Sequence, residues 1–267
     1  MSRKLQVLFQ RAQQDGRALF LPYVCLGYPD YRSSLETAKA ALRAGAAALE
    51  LGVPFSDPIA DGPTLQKATF RSLAQGTKFR DVFRLIRDLR KAGFDQPLLV
   101  MTYLNLVDRM GLKAFAEALV RAGGDGAIIP DLPLEEFPAW KKIFDPQDLA
   151  LIPFVAPTSP ASRVRLADSM EAPFLYYVSV TGVTGVRKTL APGLLRDLQS
   201  LDKRLRTPVV VGFGISNARQ AAQVGKVARG VIIASALIQL ISRTPKSRIA
   251  AQVGRFCAGV VSALRRG

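Results

Sequence analysis

Short, almost unbroken apolar runs recur along this chain, at residues 19–26, 48–53, 98–101, 126–130, 149–155, 174–180, 209–212 and 231–234. Runs of this length without polar alternation read as parallel strands covered on both faces. Between them, apolar positions return every three or four residues. Phe79, Val82, Phe83, Ile86 and Leu89 form one stripe; Leu112, Phe115, Leu119 and Val120 form another. Ile249, Val253, Phe256, Val260 and Leu264 mark a closing helix. Such spacing puts each set along one side of a helix. Four helical stretches run into Arg43-Ala-Gly45, Lys91-Ala-Gly93, Arg121-Ala-Gly123 and Gln223-Val-Gly225, each followed by a strand. This predicts left-handed glycine caps, with a cation near the helix end in the first three.

Eight strands joined by right-handed helical crossovers predict an α/β fold of the (β/α)8 TIM-barrel type. An extra helix precedes the first strand, and no linker-like segment interrupts the chain, so residues 1–267 read as one barrel domain. An open doubly wound sheet is the alternative topology.

Composition narrows the chemistry. With 267 residues, 49% hydrophobic and 22% charged, the chain has material for a large core and no disorder signature. The longest apolar stretch, around 231–241, is broken by Ser235 and Gln239 and is too short for a membrane span. The start of the sequence carries no secretory apolar region, which predicts a cytoplasmic protein. Cys25 and Cys257 lie far apart in sequence and read as reduced, buried small hydrophobes. There is no histidine at all, which excludes His-dependent triads and His metal ligands and leaves carboxylates as the natural proton carriers. The formal charge of +16 is spread over many helices, as in Arg80, Arg84, Arg87, Arg90 and Lys91, or Arg248, Arg255, Arg265 and Arg266. No aromatic-interleaved basic motif accompanies it, so a solvated basic surface favouring anionic substrates is preferred over a nucleic-acid site.

The richest segment is 49–64, LELGVPFSDPIADGPT. Glu50 falls inside a strand about to end, where an acid is costly unless it is paired or working. The following loop is stiffened by Pro54, Pro58 and Pro63 and carries Ser56, Asp57 and Asp61. Barrel active groups gather at the C-terminal ends of strands. By that rule Glu50, Asp61, Tyr103, Asn105, Asp131 and Tyr176 converge on one rim, and two facing acids suit the movement of protons on and off one substrate.

Small-residue stretches follow the late strands: 181–185 (TGVTG), 212–216 (GFGIS) and 234–236 (ASA). Small residues let backbone N–H groups approach a phosphate, and a helix N-terminus adds its dipole. Segment 181–190 also has the composition of a lid, small residues followed by Arg187 and Lys188.

Taken together, the segment 49–64, FLPYVCLGYP at 20–29, YLN at 103–105, PDLP at 130–133, SVTGVTG at 179–185 and GFGIS at 212–216 resemble the tryptophan synthase alpha subunit family. The resemblance runs from the first strand to the final helix. It implies cleavage of indole-3-glycerol phosphate to indole and glyceraldehyde 3-phosphate, with no cofactor or metal in this chain. It assigns proton delivery to indole C3 to Glu50, together with removal of the glycerol hydroxyl proton, and binding of the indole N–H to Asp61. It places Thr184 against Asp61 on lid closure, Tyr176 beside Glu50, Tyr23 and Phe213 as walls of the indole pocket, and Gly185, Gly214, Ala234 and Ser235 around the phosphate. The family pattern commonly has glycine where Ala234 stands; the N–H survives but a methyl is added. A beta-subunit partner carrying pyridoxal phosphate, in an alpha2beta2 complex, is also implied, facing the loop of Pro54, Phe55 and Asp57. The competing readings are a stand-alone lyase releasing indole and a non-catalytic barrel that activates its partner allosterically.

Overall fold

The computed structural model describes residues 2–178, 190–212 and 214–265. Nine strands build one sheet: β1 (Leu19–Cys25), β2 (Leu49–Gly52), β3 (Leu98–Met101), β4 (Gly126–Ile128), β5 (Ala150–Ile152), β6 (Phe154–Val155), β7 (Leu175–Val178), β8 (Val209–Gly212) and β9 (Gly230–Ile233). Their order is β5-β4-β3-β2-β1-β9-β8-β7-β6, with every pairing parallel. The two ends of this order, β5 and β6, are consecutive in sequence and separated only by Pro153. One side of this fifth run pairs with β4 and the other with β7. The carbonyl of Pro153 accepts the Tyr176 N–H at 2.9 Å, so the ring carries on across the proline, which has no N–H of its own to give. The predicted eight-stranded barrel is therefore present, with its fifth strand divided in two.

All seven residues of β1 and all four of β2, β3, β8 and β9 are buried, as continuous apolar runs require when helices cover the outside and side chains fill the inside. The extra helix Arg3–Gln14 buries Leu5, Phe9 and Ala12, and Phe9 packs on Phe174 with ring centroids 5.2 Å apart. Helix starts are set locally. Asp30 caps Tyr31–Arg43 through the Ser33 N–H at 2.7 Å, and Pro63 opens Pro63–Ala74.

Several expectations are corrected. Gly45, Gly93 and Gly123 have φ of 95, 84 and 87° just past their helices, but Gly225 lies inside Ala218–Gly225. A Cβ at Gly225 would press on Leu264 at 2.6 Å, so close packing of the closing helix, rather than capping, selects glycine there. Val120 is 43% exposed, and the buried face of Leu112–Ala122 is Phe115, Ala116, Leu119 and Ala122. In the closing helix Ile249–Arg265, Cys257 is fully buried, whereas Phe256 is partly buried against the edge of the core. The strand expected over 126–130 ends at Ile128. No helix among the described residues is long and apolar enough to cross a membrane.

Candidate active site

Parallel pairing puts Tyr23 of β1 beside Glu50 of β2, and Cys25 beside Gly52. Side chains alternate along a strand, so Tyr23 and Cys25 share one face. Glu50 is 3% exposed and Asp61, on the loop after β2, is 8% exposed. Burial disfavours the charged form of both acids. Burial pushes Glu50 up to about 8, the Asp61 charge adds to that rise, and a hydrogen bond with Tyr176 opposes it. Asp61 is raised by burial to about 6, against a lowering hydrogen bond with Tyr103. Among the described residues, no cation contributes to either shift. Near neutral pH the pair therefore holds one proton, mainly on Glu50. One oxygen of Glu50, Oε2, is buried without a hydrogen-bond partner among the described residues. A protonated acid with a spare oxygen, beside an ionised one, is equipped to deliver a proton and to steady a developing positive charge.

Four further groups close round the acids. Burial raises the pKa of Tyr23, Tyr176, Cys25 and Tyr103; both carboxylates add to the rise at Tyr23 and Tyr176, and Asp61 adds to it at Cys25 and Tyr103. Two glycines make room for two of the rings. A Cβ on Gly52 would overlap the Tyr23 ring, and one on Gly212 would overlap the Tyr176 ring. Tyr176 also stacks on Phe154 at 4.7 Å. Cys25 is a reduced, buried thiol as its composition implied, yet it hydrogen-bonds Tyr23 and Thr69 next to Asp61, a placement that sequence reading missed. The two-residue spacing from Tyr23 was the available signal.

The rim where the sequence reading expects a phosphate is built from neighbouring strands, since β8 pairs with β9. Gly214, with φ of 77°, follows β8; Ala234 follows β9 and immediately precedes the helix Ser235–Ser242. Gly214, Ala234 and Ser235 are all partly exposed at that rim, and no side chain caps this helix N-terminus. Amide donors are thus presented where the sequence placed an anion. Thr184, Gly185, Phe213 and the 181–189 part of the expected lid lie outside the described residues.

Of the other rim residues, Asp131 accepts the Leu104 N–H at 2.9 Å and so fixes the start of Leu104–Met110. Asn105, on that helix, is exposed and is not among the groups that shift the acids.

The tryptophan synthase alpha chain family model matches residues 9–260. A tryptophan synthase alpha chain from Chloroflexus aurantiacus is 42% identical over 258 residues, covering 97% of each chain. One from Opitutus terrae is 41% identical over 268 residues, covering all of both. Among solved structures, Mycobacterium tuberculosis tryptophan synthase superposes with a TM-score of 0.89 at 34% identity, over 100% of both chains. The alpha chain from Legionella pneumophila gives 0.89 at 30% identity, covering 99% of this chain and 97% of that one. With the barrel, the paired acids and these matches in agreement, the chain belongs to the tryptophan synthase alpha chain family.

Proposed function

We propose that Glu50 and Asp61 carry out the carbon–carbon bond cleavage of this family, in which indole-3-glycerol phosphate yields indole and glyceraldehyde 3-phosphate. The observation that carries the reading is the split ionisation of two adjoining buried acids, about 8 for Glu50 and about 6 for Asp61. Breaking the bond from indole C3 to the glycerol carbon leaves an electron pair on a poor leaving group. Protonated Glu50 gives its proton to C3, forming an indolenine-like tautomer that accepts that pair. Ionised Asp61 binds the ring N–H and stabilises the charge arising there. As the bond breaks, the Glu50 carboxylate receives the glycerol hydroxyl proton, and the aldehyde leaves.

Tyr23, Tyr176 and Phe213 line the indole end in this reading, and Thr184 holds Asp61 when 181–190 closes. Gly185, Gly214, Ala234 and Ser235 hold the phosphate through backbone and hydroxyl donors. The reaction needs no cofactor in this chain. The partner is a beta subunit that uses pyridoxal phosphate, in an alpha2beta2 assembly in the cytoplasm, with residues 1–267 acting as one barrel domain.

The test is indole formation by the wild type, Glu50→Gln and Asp61→Asn, each with and without a beta subunit. Glu50→Gln is expected to lose about 10²–10⁴-fold in kcat, the usual share of one acid–base group. Unchanged turnover in both variants would overturn the assignment.

A further inference from the structure

Tyr103 lies two residues past β3 and is 1% exposed, with Tyr177 one of the two largest fully buried side chains among the described residues. A phenol in such a place is costly unless its hydroxyl is used. Its oxygen accepts the Ala60 N–H at 3.3 Å, and its proton serves the Asp61 carboxylate through a side-chain hydrogen bond. Both partners lie on the loop after β2, 43 residues back in the chain for Ala60. The ring is fixed from two other directions. Phe55, at the start of the same loop, packs on it with centroids 5.1 Å apart and planes 30° from parallel. Asp131, on the loop after β4, holds the N–H of the next residue, Leu104.

We propose that Tyr103 is the positioning residue for Asp61: one hydroxyl, shared between the Ala60 amide and the Asp61 carboxylate, sets the path of the loop and the orientation of the acid together. The inference rests on the reading of Asp61 as the ionised partner of the indole N–H. The groups facing Asp61 are Glu50 from β2, Tyr23 and Cys25 from β1, Tyr103 after β3 and Tyr176 from β7; Asp131 faces Tyr103 in turn. Among the described residues, Tyr103 is the group that favours the charged form of Asp61, and burial opposes it. Removing the hydroxyl leaves a carboxylate with less to hold its charge and a free Ala60 amide, while the ring still fills its space.

The experiment is the pH dependence of lyase kcat/KM for the wild type, Tyr103→Phe and Asp61→Asn, and for protein carrying 3-fluorotyrosine at position 103. Asp61→Asn identifies the acidic limb. In Tyr103→Phe that limb should move to higher pH, so that activity at pH 6 falls by about three- to tenfold relative to pH 8, where it stays closer to the wild type. The fluorinated phenol, a stronger donor, should move the limb the other way. Unfolding temperatures of the variants separate a packing loss from a positioning one, since packing does not move the limb. A limb that disappears in Asp61→Asn but keeps its place in Tyr103→Phe would overturn the positioning role. A limb that survives in Asp61→Asn would instead overturn the reading of Asp61 beneath it.

Discussion

Glu50 is held where its charged form is disfavoured, and this carries a cost to the fold as well as a use. Its folded pKa, about 8, lies above its ordinary value of 4.5. The folded state therefore keeps a proton that the unfolded chain releases, and stability falls as pH rises from about 4.5 to about 8 on account of this one group. Glu50→Gln keeps the shape without the charge. It should be more stable than the wild type at pH 8, by about 1–2 kcal/mol or a few degrees in unfolding temperature, with the difference vanishing toward pH 4. Calorimetry across that range checks the sign. The same two acids predict a bell-shaped profile for kcat/KM, rising as Asp61 ionises near pH 6 and falling as Glu50 loses its proton near pH 8. A flat profile between pH 5 and 9 would contradict that assignment of roles.

At the scale of elements, the barrel is tied together below the site by Arg90. This residue of the helix Asp81–Lys91 donates to the carbonyls of Gly123, Phe94 and Gln96 at 2.8–2.9 Å. It also pairs with Asp125 at 2.6 Å. Asp125 in turn accepts the Leu98 N–H at 2.8 Å, so one ion pair joins a helix to the beginnings of β3 and β4. The pair is partly buried, and Lys4 also lies 3.4 Å from Asp125, so loss of Arg90 leaves that carboxylate with a second cation but frees three carbonyls. Arg90→Ala should cost about 2 kcal/mol, visible as a lower urea midpoint. Strand packing sets the site more finely. Gly52→Ala would push the Tyr23 ring out of its bed on β2, and about a tenfold loss in kcat/KM is expected, with smaller change in stability.

For the whole molecule, the charge of +16 is a property of the outer helices, whereas Glu50 and Asp61 are buried inside the barrel. A positive surface raises the encounter rate with a phosphate-bearing substrate and is screened by salt. kcat/KM should drop by about three- to tenfold between about 0.02 and 0.2 M salt, with kcat nearly unchanged. Steady-state kinetics at several ionic strengths measures this directly.

Much of this protein was legible along the chain. The unbroken apolar runs named the strands, since a strand buried on both faces has no room for polar alternation. Glu50 stood out because an acid inside such a run conflicts with its setting, and the proline-stiffened loop that follows marked Asp61. Pattern could not reveal distances between residues far apart in sequence. That Tyr103 reaches Ala60 and Asp61, that Gly52 and Gly212 are beds for tyrosine rings, and that Cys25 lies by Asp61 depend on the register of neighbouring strands. Packing of the closing helix likewise decided that Gly225 makes room for Leu264 instead of serving as a left-handed cap. Local hydrophobicity determines which segments are buried; only closure of the ring determines what each meets inside.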